Sequence, residues 1–207
     1  NARQALGVAR AYPAELVVGA RFGLWDGLML AWLAALRAHA PEVAVRAEVG
    51  FEDTLMQALI EGRLDLGVMY TPQYRPGLTV QRLFEETLVL VTTGSATLAA
   101  PGPGYVYVDW GPEFRRQHQA DFPDYVGAAI TVNIGWLGLR HILAAGGSGY
   151  FPQRLVAAEL DAGRLRLVDA APRFALPVYA VHAAAAAQAP PLAAALALLA
   201  GRAARIG

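Results

Sequence analysis

Three tryptophans stand where a side chain could contact a ligand. Trp25, Trp110 and Trp136 each lie in or beside a short segment that joins an apolar run to a helical pattern. Phe22 and Phe51 lie in segments of the same kind. Ligand pockets are mostly apolar with a few polar groups, so aromatic side chains suit them. We expect at least two of the tryptophans to line a pocket; packing between lobes is the alternative role for any one of them.

Acidic side chains lie close to the same segments. Asp26, Glu52 and Asp109 carry carboxylates, whereas Arg21 is the single cation in the first of these loops. This balance predicts a ligand with a cationic or hydrogen-bond-donating end and an apolar body, which aromatic faces would attract. For Asp109 the alternative is an ion pair with Arg115 or Arg116, and we favour that pair.

Asn133 precedes a predicted helix. Its side chain could cap that helix, which is the ordinary role of an asparagine at this position. It could also lie at the edge of a ligand pocket, beside Trp136.

Several reaction classes lack the residues that they need. The chain has no Cys, and its 17 basic residues are all Arg, so thiolate metal sites and lysine Schiff bases are excluded. Ser148 stands in a glycine-rich run, but Tyr150 occupies a position that a serine nucleophile elbow requires to be Gly. The four histidines have no metal-site spacing, and we expect His118 and His141 to be partly exposed. We therefore predict no enzymatic activity, metal or cofactor.

Composition predicts a folded protein that does not itself bind nucleic acid or cross a membrane. The chain has 207 residues, of which 56% are hydrophobic and 16% charged, with a formal net charge of zero. This apolar content excludes a disordered chain, and the charge balance gives no basic surface. The most apolar stretch, residues 178–199, is interrupted by polar residues and two prolines, so it does not resemble a membrane span.

Apolar runs and helical patterns alternate along the chain. Strands are predicted at 15–20, 43–49 and 64–70, separated by helices at 27–39 and from Asp53 to Gly62, which implies a parallel sheet. Two further strands, at 78–83 and 87–93, and a connection at 94–104 lead to a second α/β series. Its predicted strands are 105–109, 128–132, 149–151, 164–168 and 176–182, and its helices are 112–122, 135–145, 152–163 and 191–204.

Ligands of open α/β sheets bind where strands end and helices begin. The loops at these positions supply the expected binding residues. They are Phe22, Trp25, Asp26, Phe51, Glu52, Tyr70, Asp109, Trp110, Asn133 and Trp136.

Four segments resemble one family. Residues 16–20 read LVVGA, residues 59–67 LIEGRLDLG, residues 144–152 AAGGSGYFP, and residues 163–165 GRL. Their order and spacing resemble the effector-binding domain of LysR-type transcriptional regulators over about residues 15–204. The segment at 59–67 is the most specific. The family often has Ser or Thr in the first two binding loops, where this chain has only Thr54, so the effector does not follow from the resemblance.

The resemblance implies an α/β fold of the type II periplasmic-binding-protein kind, with two lobes that are each a mixed sheet flanked by helices. Lobe I would comprise residues 15–92 and 174–207, lobe II residues 93–173, and residues 1–14 would end a linker. A small-molecule effector would bind between the lobes.

Further expectations concern partners. The resemblance implies a cytoplasmic homodimer or tetramer, in which helix 27–39 of one copy packs against helix 135–145 of another. Both helices are rich in apolar residues, including Trp32 and Leu139, so we expect each to have an exposed apolar surface at this interface. DNA would be bound only through a winged helix-turn-helix that this sequence lacks. The alternative function is that of an extracytoplasmic solute-binding protein of the same fold.

Overall fold

The computed structural model describes residues 12–95 and 101–206. Within them the chain forms two compact units: unit 1 extends to Phe84 and resumes at Val178, and unit 2 is Glu85–Pro177. The sequence-based boundaries, after residue 92 and before residue 174, differ from these because two strands each continue from one unit into the other. Most of the predicted linker (1–14) and the middle of the predicted connection (94–104) lie outside the described residues.

Unit 1 is a mixed sheet with helices. Strands β1 (Ala14–Ala20), β2 (Val43–Val49) and β3 (Leu66–Met69) pair in parallel, in the order β2-β1-β3. The first part of unit 1 thus has the predicted parallel β-α-β-α-β arrangement. Strand β9 (Phe174–Ala183) pairs antiparallel with β3 through residues 179–182. The helices are α1 (Leu30–His39), α2 (Glu52–Ile60) and α6 (Pro190–Ala203).

The start of the first helix differs from the prediction. A helical turn, Phe22–Leu24, is followed by a kinked segment, Trp25–Met29, in which Asp26 and Gly27 leave helical geometry. Gly27 has φ 74°, a left-handed conformation that glycine adopts without strain. Regular helix therefore begins at Leu30, three residues after the predicted start. In the second helix Phe51, not Asp53, is the N-cap.

Unit 2 combines a short parallel pair with antiparallel strands. The predicted strands at 78–83 and 87–93 are one strand, β4 (Leu78–Thr92), whose second half pairs antiparallel with β7 (Ser148–Pro152) and β8 (Arg166–Leu167). Strands β5 (Val106–Val108) and β6 (Ile130–Val132) pair in parallel. The helices are α3 (Pro112–Asp121), α4 (Gly135–Ala145) and α5 (Gln153–Asp161).

The core of unit 1 includes a tryptophan expected at a protein interface. Trp32 is fully buried, and its indole Nε1 donates a hydrogen bond of 2.9 Å to the Ala195 carbonyl oxygen. The bond joins α1 to α6, which also packs on β1. Trp32 therefore cannot belong to an exposed apolar surface of α1, as the sequence-based interpretation required.

His118 lies inside the core of unit 2, which corrects the expectation of partial exposure. The side chain is 2% exposed, and its Nε2 shares a hydrogen bond of 3.0 Å with the Tyr105 hydroxyl. Seven aromatic rings have centroids 4.9–6.2 Å from the imidazole: Tyr105, Tyr107, Phe114, Phe122, Tyr125, Tyr150 and Phe174. Burial lowers the pKa of His118 to about 4, against an opposing effect of the Asp121 charge.

The described residues contain neither a membrane-spanning helix nor a group of metal ligands. No helix in residues 12–95 and 101–206 is long and apolar enough to cross a membrane. In the same ranges no three His, Cys, Asp or Glu side chains are grouped to hold a metal ion.

The buried imidazole predicts acid sensitivity. Because the pKa of His118 is lower in the folded chain (about 4) than its ordinary 6.5, its stabilising contribution is complete above about pH 6.5 and is lost as pH falls through 4. We expect the protonation of His118 alone to lower the unfolding free energy by on the order of 3 kcal/mol between about pH 6.5 and pH 4. Urea unfolding at several pH values would measure the slope.

The matched variants are His118→Gln and His39→Gln, because His39 is exposed at the end of α1. The His118 variant should have a shallower pH slope, and the His39 variant the slope of the wild type. Equal slopes in the two variants would show that His118 is not the group that causes the acid sensitivity.

Candidate functional site

Three segments of unit 1 meet at one edge of its sheet. They follow the carboxyl ends of the parallel strands β1, β2 and β3. Gly50 N donates to the Ala20 carbonyl oxygen at 3.2 Å, and Arg21 N donates to the Val68 carbonyl oxygen at 3.1 Å. These bonds hold the starts of the first two segments against the sheet. The edge has the position at which open α/β sheets bind ligands.

Arg21 is the central polar group of this edge. Its Nη1 lies 2.6 Å from Glu52 Oε2, and the two side chains are 11% and 21% exposed. The guanidinium carbon also lies 4.7 Å from the centroid of the Phe51 ring. The cation is therefore positioned by a carboxylate and by an aromatic face together. The Arg21 side chain thus belongs to the edge as a fixed group.

Two aromatic residues of this edge are exposed. Phe22 is 40% exposed and Phe51 is 41% exposed. Asp26, in the kinked segment, is exposed as well. Two phenyl rings and a positioned guanidinium form a surface that can contact a flat or apolar body and donate hydrogen bonds to an acceptor. We name this surface, formed by Arg21, Phe22, Phe51 and Glu52, the unit 1 edge.

Trp25 and Tyr70 differ from the expectation of exposed pocket residues. Trp25 is 9% exposed, and its Nε1 donates a hydrogen bond of 3.0 Å to the carbonyl oxygen of Glu48 near the end of β2. The indole thus links the kinked segment to the sheet. Tyr70 follows β3 and is 3% exposed.

Asp109 in unit 2 has the structural role that the sequence favoured. Its Oδ2 lies 3.0 Å from Arg115 Nη2. Its Oδ1 accepts a hydrogen bond of 3.0 Å from the backbone N–H of Gly111, the N-cap of α3. The carboxylate raises the pKa of Arg115 by its charge and hydrogen bond.

The two tryptophans of unit 2 have opposite environments. Trp110 is 3% exposed, and its Nε1 donates a hydrogen bond of 2.8 Å to the Tyr150 carbonyl oxygen. A Cβ atom at Gly135 would lie 2.3 Å from the Trp110 ring, so the first residue of α4 must be glycine for the ring to fit beneath it. Trp110 is a core residue, which corrects its assignment to a pocket. Trp136 is 53% exposed and Asn133 is exposed, but Ile134 occupies the N-cap position of α4.

Two of the three carboxylates of the predicted acidic pocket are neutralised by arginines. Glu52 is paired with Arg21, and Asp109 with Arg115, so neither adds net negative charge to its loop. Asp26 is the remaining exposed acid of the three. The geometry therefore gives no support to a preference for cationic ligands.

The family model of the LysR substrate binding domain matches residues 12–204. The chain belongs to this family. HTH-type transcriptional regulator HdfR from Yersinia pestis (strain Pestoides F) is 23% identical over 150 residues, which cover 67% of this chain and 51% of that protein. The LysR domain described here thus spans about half the length of the curated relatives that it matches.

Solved structures show the same periplasmic-binding-protein-like fold. The regulatory domain of HypT from Salmonella typhimurium superposes with a TM-score of 0.75 at 16% identity, covering 93% of this chain and 96% of that one. The C-terminal domains of a LysR family protein from Agrobacterium tumefaciens superpose with a TM-score of 0.74 at 18% identity, covering 93% and 98%. These structures confirm the predicted α/β fold class of this LysR domain.

Arg21 is the residue that the sequence analysis undervalued in this LysR domain. The sequence identifies it as the single cation of its loop and does not place it among the expected binding residues. A signal was present, because an arginine that directly follows a buried apolar strand needs a partner for its charge. The partner, Glu52, lies 31 positions later in the chain, and sequence spacing alone does not identify such a pair.

The burial of Trp25 predicts a stability defect. Trp25→Ala should lower the unfolding free energy of the LysR domain by about 3–5 kcal/mol, because it removes a buried indole and leaves a cavity. Phe51→Ala removes an exposed ring at a helix N-cap and should cost less than about 1 kcal/mol. Guanidinium unfolding of the two variants and the wild type measures both values. A wild-type midpoint for Trp25→Ala would show that this side chain is not part of the core.

Proposed function

We propose that this chain is the effector-sensing regulatory domain of a LysR-type transcriptional regulator. The match of the family model to residues 12–204 carries the proposal. The curated relative HdfR is a transcriptional regulator, which favours this function over that of a solute-binding protein and over an enzyme. A small molecule that binds one conformation better than another shifts the population between them. The shift would reach a winged helix-turn-helix domain in the cytoplasm.

The unit 1 edge is our proposed effector contact. Arg21 is held by Glu52 and Phe51 and therefore offers donors at a fixed position, which lowers the entropy cost of binding. Phe22 and Phe51 offer exposed rings for an apolar body. Asp26 remains a candidate contact because it is exposed. In unit 2, Asn133 and Trp136 remain candidates for the same reason.

The assignment of DNA binding to another domain rests on charge. Affinity for duplex DNA depends mainly on cations that neutralise phosphates. The 207 residues have a formal net charge of zero. We therefore propose that this domain contributes no DNA contacts of its own.

An effector should stabilise the chain by mass action. A thermal-shift screen of small metabolites against the 207-residue chain, followed by native mass spectrometry, would identify it. Phe51→Ala should then weaken binding by about 1–2 kcal/mol, the scale for losing part of one apolar contact. The control is Tyr74→Ala, which removes a ring that is 79% exposed elsewhere in unit 1. Equal affinities for the wild type and the Phe51 variant would exclude the unit 1 edge as the contact.

Self-association is our second proposal about partners, with a homodimer or tetramer as the expected form. Trp32 is buried, so the apolar surface available on α1 and α4 is different from the one that the sequence suggested. Leu30 is 57% exposed, Trp136 53% and Leu137 49%. Exposed apolar side chains on two helices are typical of interfaces.

Leu137→Gln should weaken self-association of the chain at about 50 μM, a concentration at which micromolar dimers are assembled. Analytical ultracentrifugation would measure the change. Val126→Gln is the control, because Val126 is also apolar and fully exposed in unit 2 but lies outside both helices. A monomeric wild-type chain at this concentration would contradict the proposal.

A further inference from the structure

Unit 2 has an open cavity that belongs to no predicted binding loop. The cavity has a volume of about 380 Å³ and is lined by Arg140, Leu143, Ala144, Glu159 and Arg164. Three of these residues lie on α4 at positions i, i+3 and i+4, so they share one helix face. Glu159 is on α5, and Arg164 follows the end of that helix. The size lies within the range of small-molecule sites.

The carboxylate of the cavity is already neutralised. Arg164 Nε donates a hydrogen bond to Glu159 Oε2. The loop geometry supports this pair, because the backbone N–H groups of Arg164 and Leu165 donate to the Glu159 carbonyl oxygen at 2.9 and 3.2 Å. The hydrogen bond from Arg164 lowers the pKa of Glu159, and the charges of Arg164 and Arg140 lower it further. Glu159 is therefore ionised at neutral pH, and the cavity carries two cations against one anion.

Arg140 is the cation in excess. Its side chain is exposed, and within the described ranges it forms no hydrogen bond or ion pair. Its charge nevertheless acts on Glu159, which places it near the Glu159–Arg164 pair. A guanidinium can bind a carboxylate through two parallel hydrogen bonds. Leu143 and Ala144 supply an apolar wall beside it.

We propose that this cavity binds a small organic carboxylate with an apolar body. Arg140 receives the carboxylate, Leu143 and Ala144 contact the apolar body, and the Glu159–Arg164 pair forms the opposite wall. This site goes beyond the proposed effector contact, because it uses none of the residues of the unit 1 edge. Its test is independent of whether the chain regulates transcription.

The test uses benzoate as the probe and acetate as the probe without an apolar body. Both are titrated into the ¹⁵N-labelled 207-residue chain while the amide resonances of α4, α5 and Arg164 are followed. We expect saturable shifts at these amides with benzoate, at a Kd below about 10 mM, and weaker binding of acetate. Arg140→Ala should weaken benzoate binding at this site about tenfold, the scale of losing one hydrogen bond to a charged group.

Two further variants make the result decisive. Ala144→Glu places a negative charge on an exposed position of the cavity wall and should abolish the shifts without unfolding the helix. Arg116→Ala removes the same charge from an exposed ion pair on α3 and should leave benzoate binding unchanged. The proposal is overturned if these amides do not respond to benzoate, if acetate binds as tightly, or if Arg116→Ala and Arg140→Ala weaken binding equally. Shifts at α4 that follow protein concentration alone would report self-association through this helix, and the proposal is overturned if no benzoate-dependent shift accompanies them.

Discussion

A hydrogen bond from the Trp32 indole to the Ala195 carbonyl oxygen joins the two chain segments that form unit 1. It joins residues that are 163 positions apart, one on α1 and one on α6. Unit 1 is built from the beginning and the end of the chain, so contacts of this kind are needed to hold its last helix. Strand β9 supplies the other connection by pairing antiparallel with β3. The parallel strands whose ends form the unit 1 edge therefore depend on β9 and α6, which are distant from them in sequence.

Local patterns were sufficient for most of the secondary structure. The alternation at residues 43–49 and the glycines at 62 and 163, which have φ 68° and 70°, set element boundaries that sequence analysis can detect. The kink at Gly27 was not detected, because a helical pattern of apolar residues continues through it. The single strand β4 was divided in two because its polar residues near Glu85 interrupt the apolar run. Sequence patterns do not show that such residues can remain in one strand.

The site was harder to predict than the fold, because residue type does not determine which way a side chain points. Trp110 and Trp136 occupy comparable positions next to a strand end, yet one is 3% exposed and the other 53%. The buried one donates to the Tyr150 backbone and fits beneath Gly135, and both contacts depend on tertiary packing. The charge of Glu52 was misjudged for a similar reason, since its partner, Arg21, lies 31 positions away in the sequence.

The four tryptophans form a set of optical probes with unequal environments. Trp25, Trp32 and Trp110 are buried, and each donates its indole N–H to a backbone carbonyl oxygen. Trp136 is more than half exposed at the first turn of α4. The fluorescence emission of the native chain therefore combines a blue-shifted component from three buried indoles with a red-shifted component from one solvent-exposed indole. A soluble quencher such as iodide would reach Trp136 first, so the quenchable fraction of the fluorescence reports on what covers the start of α4.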